Sequence, residues 1–337
     1  MKAGLFPIQN ATLSAKALVP WLLSEYTLPK SVSCEFYRKG ICDTYIIKTP
    51  EAGYYLKIYL YGRRTRLDVT EEVRLLNYLG KNGVSVVKPV IKRDKNYVSQ
   101  LKTPEGVRYT VLFEEAEGVQ EDNDQGRIKA LGDLVGRFHQ CSDKMQGEYR
   151  RKHLDMKYLI DDNLAAISPL MAHRAADFKI IENIGVSCKE QISQLLTTSK
   201  PEYGICHGDL FGGDVRYKTD NTPVIFDFDS SGCGWRALDI GVFLTTPEWM
   251  DTSDEAEKLR QTQLLTFLQG YSRHRQLNEN ELTAIQLTPP IHHIFLMGHV
   301  LRYTALYEGN YWANDDFLDW HMKWFKCWVE SDSSPAI

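Results

Sequence analysis

Two apolar, strand-like segments that each run straight into a carboxylate-bearing loop set the tightest limit on what this chain can fold into. Ile205-Cys206 leads into His207-Gly208-Asp209, and Val224-Ile225-Phe226 leads into Asp227. A carboxylate at the end of a buried strand is costly unless a proton, a metal or a donor meets it. The whole stretch from Tyr203 to Leu244 reads as strand, loop, strand, turn, loop, helix, and its loops also carry Asp214 and Asp239. Strand ends of this kind, close together, describe a site that holds a divalent cation and performs acid–base or phosphoryl chemistry.

Phosphoryl transfer needs a carboxylate that orients an acceptor hydroxyl and takes its proton, and Asp209 is the candidate catalytic base. It also needs hard oxygen ligands for magnesium, for which Asp214 and Asp227 are the candidates. Gly208 allows the tight backbone that such a loop requires. Far upstream, alternation along Gly53–Tyr61 puts Leu56, Ile58 and Leu60 on one face and Tyr55, Lys57 and Tyr59 on the other. Taken alone, Lys57 fits a cation snorkelling from an exposed strand. The next helix, about Thr65 to Leu79, carries Glu72 on the face of Val69, Leu76 and Leu79, with Glu71 one position round. Lysine in a strand and then glutamate on the following helix is the order needed for an ion pair that reaches a nucleotide phosphate, and the spacing does not exclude Glu71.

The remaining pattern predicts a mixed α+β chain. Ser14 can cap a helix to about Tyr26, strands are expected over Val32–Tyr37, Thr44–Thr49, Asn96–Leu101 and Val107–Glu114, and Glu114–Gly118 reads as a connector. Beyond it, helices are expected over Gly126–Gln140, Lys152–Met171, Ile180–Thr198, Glu255–Arg275, Glu279–Gln286, Ile291–Tyr307 and Asp315–Val329, with a frayed tail at 331–337. The 337 residues suffice for one large or two medium domains. A net charge of −4 gives no electrostatic reason to expect nucleic acid or an anionic membrane. Seven scattered cysteines without a C-x-x-C pair point to reduced thiols rather than a disulfide framework. With no signal-like or membrane-length apolar run, a soluble cytoplasmic protein is expected.

The motif His207-Gly208-Asp209-x4-Asp214, then the strand into Asp227-Phe228, resembles the aminoglycoside phosphotransferase and homoserine kinase type II superfamily. Its order extends along most of the chain: Tyr55-Leu56-Lys57-Ile58, Glu72 in the following helix, Gly83–Pro89, Tyr109–Phe113, Leu131-Gly132-x6-His139 and Arg236–Ile240. The resemblance implies a bilobal protein-kinase-like fold. Residues 1–113 would form a nucleotide-binding lobe, a small antiparallel sheet with one main helix. Residues 114–118 would be a hinge, and 119–337 a larger, mostly helical catalytic and acceptor lobe. It implies ATP (GTP not excluded) and Mg2+ as cofactors, with Lys57, braced by Glu72, on the phosphates. Backbone at Phe113, Glu114, Glu115 and Ala116 would hold the nucleobase, and Asp239 would brace the catalytic loop. Asp214 stands where the family has Asn, adding a negative charge while keeping a side-chain oxygen for the metal. The family's second loop histidine is Phe211 here.

The implied activity is transfer of a γ-phosphoryl group to a hydroxyl of a small molecule such as an amino sugar, amino alcohol or hydroxy amino acid. A protein Ser/Thr kinase of the same superfamily and a non-catalytic nucleotide-binding regulator are the alternatives; oligomeric state is open. Candidate acceptor-wall residues are Asp155, Tyr158, Asp161, Asp162, Trp235, Arg236, Glu308, Tyr311, Trp312, Asp315 and Asp316, an acidic and aromatic set. His292, His293 and His299 lie in an apolar helix and read as structural, Cys206 as buried and inert, Gly232-Cys233-Gly234 as a loop fragment, and the tryptophans from Trp312 to Trp328 as core.

Overall fold

The computed structural model describes residues 8, 10–120, 124–210, 212–245, 250–303 and 311–330. The chain forms two compact units that part between Glu117 and Gly118. Phe211, Glu308 and the tail 331–337 lie outside the described residues. No helix among the described residues is long and apolar enough to cross a membrane.

In the first unit Ser14 caps helix α1 (Ala15–Glu25), its side chain accepting from the Ala17 N–H at 3.3 Å. Strands β1 (Ser33–Lys39), β2 (Cys42–Lys48) and β3 (Gly53–Tyr59) form a meander. Helix α2 (Arg66–Lys81) and strands β4 (Ser99–Thr103) and β5 (Gly106–Glu114) follow. The sheet runs β1-β2-β3-β5-β4 with every pair antiparallel. The period of two in β3 sends Leu56 and Ile58 into a buried cluster with Leu18, Leu22, Tyr26 and Tyr45, so α1 and the sheet share one core. Lys57 and Tyr59 take the other face, where α2 buries Val69, Val73, Leu76 and Leu79. A reciprocal Thr65–Asp68 capping box fixes where α2 starts.

The second unit begins with β6 (Val119–Gln120), α3 (Gln125–Ser142), β7 (His153–Leu154), α4 (Asp162–Ile167) and α5 (Ala175–Leu195). Next come β8 (Tyr203–Cys206), β9 (Val215–Tyr217), β10 (Pro223–Ile225), β11 (Gly232–Trp235) and α6 (Arg236–Gly241). Helices α7 (Asp254–Tyr271), α8 (Glu279–Gln286), α9 (Thr288–Tyr303) and α10 (Asp315–Glu330) complete it. Two small sheets, β10-β9-β6 and β7-β11-β8, hold the carboxylate loops. The α+β architecture expected from the sequence is therefore present: a small antiparallel sheet unit, then a mainly helical unit.

The structure corrects three local expectations. Gly232-Cys233-Gly234 is strand, not loop, pairing antiparallel with β8 and parallel with β7. Its glycines serve close packing: a Cβ at Gly232 would lie 2.2 Å from the Lys152 carbonyl oxygen. The helix expected over Lys152–Met171 is instead strand β7, a π turn over Lys157–Asp161 and the short α4. The pairing with β11, remote in sequence, overrides local propensity there. Helix α9 starts at Thr288, earlier than expected, because Pro289 and Pro290 occupy its first turn, where no intrahelical N–H is needed.

Candidate active site

Strand β8 buries Ile205 and Cys206 and delivers His207-Gly208-Asp209 at its end. The loop is held from below by Asp239, in the first turn of α6. One Asp239 oxygen accepts from the His207 N–H at 2.9 Å, and the other from the Gly208 N–H at 2.7 Å. His139 Nε2 meets the same carboxylate at 3.0 Å, while Tyr271 Oη meets His139 Nδ1 at 2.9 Å. Burial pushes the Asp239 carboxyl up, yet the His139 hydrogen bond, the nearby imidazoles and the Gly208 N–H outweigh it and leave the group below its ordinary range. Burial dominates for His139 and pushes it down to about 4, so its ring is neutral, with the proton on Nε2 facing the carboxylate. An ionised Asp239 with this many donors is a buried charge satisfied by hydrogen bonds, and those bonds fix the backbone that carries Asp209.

Gly208 has a φ of +81°, and a Cβ there would sit 2.5 Å from the Ser230 carbonyl oxygen. Gly208→Ala is therefore expected to cost more than about 2 kcal/mol of stability and to lower turnover by at least about tenfold, read by urea unfolding and steady-state rate. Unchanged stability would contradict this geometry.

Phe226 links the other two carboxylate positions to the loop through its backbone. Its N–H donates to the Asp214 carbonyl at 3.0 Å, and its carbonyl accepts from His207 Nε2 at 2.9 Å. The β9–β10 register, Ile225 opposite Val215, sets Asp214 across from Phe226, with Asp227 next along the chain. Asp227 itself is left-handed (φ 62°, ψ 53°), a conformation that Asp tolerates better than most residues and that turns the chain sharply after the strand. Arg151, which sequence reasoning missed, clamps that turn: its guanidinium donates to the carbonyls of Phe228 at 2.9 Å and Asp229 at 2.5 Å. Nothing in the sequence near Arg151 announces this partner. Asp209, Asp214 and Asp227 are all half-buried. Asp214 and Asp227 are hard oxygen donors with access to water, the ligand type of magnesium, which takes one or two protein carboxylates and keeps several waters.

In the first unit, Lys57 Nζ lies 4.0 Å from Glu72 Oε1, with both side chains largely buried. Tyr59 Oη donates to the other Glu72 oxygen at 3.0 Å. Glu71 turns instead to Arg74, at 2.6 Å, so of the two glutamates it is Glu72 that faces the lysine. Phe113 is buried and bridges to Pro89, while Glu114 and Glu115 donate backbone N–H groups to the carbonyls of Lys88 and Gly53. Ala116 follows, half-buried.

Several acceptor-wall candidates are engaged elsewhere. Arg236 is fully buried against Asp143 at 2.7 Å, Asp161 pairs with Lys189 at 2.7 Å, and Asp162 with Lys157 at 2.5 Å. Asp315 pairs with His173 at 2.7 Å, and Tyr311 is 82% exposed. Asp155 caps the Tyr158 N–H at 2.8 Å, Trp312 packs on Phe317, and Asp316 is exposed. Trp235 does line a pocket with Gly208, Leu238, Phe295 and His292. His293 bonds His321 at 2.6 Å and packs on Trp324 and Phe325, as a structural histidine should. His292 is different: its Nε2 lies 4.0 Å from an Asp209 carboxylate oxygen.

The sequence pattern of the phosphotransferase enzyme family matches residues 34–277. An uncharacterised protein of Synechocystis sp. is 31% identical over 288 residues, covering 84% of this chain and 78% of its own length. A homoserine kinase of Janthinobacterium sp. is 22% identical, covering 80% of each chain. The solved structure of an amicoumacin kinase, in complex with AMP-PNP, Ca2+ and Ami, superimposes with a TM-score of 0.77 at 20% identity, covering 96% of both chains. The chain belongs to the phosphotransferase enzyme family and is a kinase-type phosphotransferase.

Proposed function

We propose that this enzyme moves the γ-phosphoryl group of ATP to a hydroxyl of a small molecule, an amino alcohol, amino sugar or hydroxy amino acid, in a magnesium-dependent reaction. The observation that carries the reading is the His207-Gly208-Asp209 loop, pinned through its N–H groups by Asp239 and tied through Phe226 to Asp214 and Asp227. Asp209 orients the acceptor hydroxyl and receives its proton as the oxygen bonds to phosphorus. The bond from that phosphorus to the bridging oxygen breaks, and ADP leaves. Asp214 and Asp227 are the residues to hold magnesium, which when bound neutralises charge on the phosphates. Lys57, held by Glu72, adds a cation for the α/β-phosphates. In this reading residues 1–113 bind the nucleotide, 114–118 act as the hinge with backbone at Phe113–Ala116 on the base, and 119–337 carry catalysis and the acceptor.

Support for a nucleotide and divalent metal comes from the amicoumacin kinase relative, solved with AMP-PNP and Ca2+. The test is thermal stability with ATP, with and without magnesium, alongside ATP turnover. Magnesium-dependent stabilisation with turnover is expected. Stabilisation without any turnover across hydroxyl acceptors would instead favour a nucleotide-binding regulator, for which Asp214 in the family's Asn position is the one observation in favour.

A further inference from the structure

His292 sits in α9, 8% exposed, with neither ring nitrogen hydrogen-bonded among the described residues. A buried polar ring with no partner costs about 1–3 kcal/mol and calls for an explanation. Packing does not supply one, since a phenylalanine would fill the same slot beside Phe295, whose ring lies 6.3 Å away, without the penalty. Burial also pushes the imidazole down to about 4, so the ring is neutral and offers one N–H donor and one bare lone pair.

Its position does supply an explanation. The 4.0 Å from His292 Nε2 to the Asp209 carboxylate is too long for a direct hydrogen bond. It is the right span for one oxygen atom between them: an O–H donated at about 2.7 Å and an N–H accepted at about 2.9 Å subtend roughly 90° at that oxygen. His292 lines the pocket that also contains Gly208, next to Asp209, and on its other side borders a second cavity of about 130 Å³, lined by Thr245, Asp254, Gln286, His293 and Trp328 among others. A single water needs roughly 10–15 Å³ of such space, so this cavity has room for several non-hydrogen atoms of a small acceptor.

We propose that His292 is the second half of the acceptor-hydroxyl seat: its Nε2–H donates to the oxygen whose own proton is donated to Asp209. The inference rests on Asp209 being the base of the proposed reaction and deepens that reading. It adds a selection rule. An ammonium nitrogen has no lone pair to accept the His292 N–H, so the seat takes an alcohol and leaves an amine group to the outer cavity.

The test compares wild type, His292→Phe and His292→Gln with 1-amino-2-propanol, L-homoserine and D-glucosamine as acceptors. Phe keeps the ring without its nitrogens, and Gln returns an N–H near the Nε2 position. For whichever compound the wild type phosphorylates, His292→Phe is expected to lower kcat/KM for the acceptor by at least roughly tenfold, with the KM for ATP within about twofold. Its Tm should be no lower than that of the wild type, because an unpaired buried polar group has been removed. His292→Gln should recover to within about threefold of wild type. Acceptor kinetics indifferent to His292→Phe would overturn the inference while leaving the reaction intact. Equal losses in both variants with a lowered Tm would overturn it too, as the mark of a purely structural histidine. If wild type phosphorylates none of the three, the reaction reading falls and takes this inference with it.

Discussion

Asp209→Ala is expected to give a folded protein that still binds nucleotide and no longer transfers phosphate at a measurable rate. A positioned base contributes roughly 10²–10⁴ in rate, and orientation of the hydroxyl is lost along with it. The fold should not notice. The Asp209 side chain is 31% exposed, and the loop around it is held by the backbone N–H groups of His207 and Gly208 on Asp239. Its unfolding free energy should therefore stay within about 1 kcal/mol of wild type. Asp214 and Asp227 remain, so magnesium-dependent stabilisation by ATP should persist. A variant that has lost both turnover and stability would show that Asp209 holds the loop up, and the division of labour between Asp209 and Asp239 would be wrong.

Stability should fall steeply on mild acidification, through several histidines buried in the neutral state. Burial pushes His139, His292 and His321 each down to about 4 from an ordinary 6.5, and His293 lower still. In the unfolded chain the same rings take up protons near 6.5. Between about pH 6.5 and 4 the unfolded state thus binds more protons than the folded one, and stability declines as the pH falls through that window. Each ring contributes on the order of 1 kcal/mol per pH unit, so several together are a large share of a typical folding free energy. Asp239 acts in the same direction but lower down, since its depressed carboxyl loses its contribution only below the ordinary carboxylate range. Urea midpoints at pH 8, 7, 6 and 5 check this: little change is expected between 8 and 7 and a sharp drop from 6 to 5. A flat profile would mean that the rings are solvated or already protonated in the fold.

How much of this was legible in the sequence depended on whether the determining contacts were local. The carboxylate loops were legible because an apolar strand followed at once by Asp is a short-range contradiction that only a site resolves. The face on which Lys57 lies followed from the period of two in β3, and Tyr59 and Glu72 now occupy that face with it. The choice between Glu71 and Glu72 did not follow. Neighbouring helical positions differ by about 100° around the axis, and only the sheet packed against α2 decides which one points at the lysine. Strand β11 was hidden because glycines carry no strand propensity; its identity comes from β7 and β8 on either side. Arg236, a candidate for the acceptor wall, is in fact spent on Asp143. His292 was read as structural, in keeping with its burial, but its neighbour is Asp209 in a distant segment, and no periodicity encodes that.

The most direct measurement is phosphorus NMR of wild type with ATP, magnesium and a panel of amino alcohols, amino sugars and hydroxy amino acids. A new phosphate monoester resonance is expected for at least one compound, growing as ADP appears, absent without magnesium and absent with Asp209→Ala. ATP bound and stable in every mixture, or the same ester formed by Asp209→Ala, would contradict it.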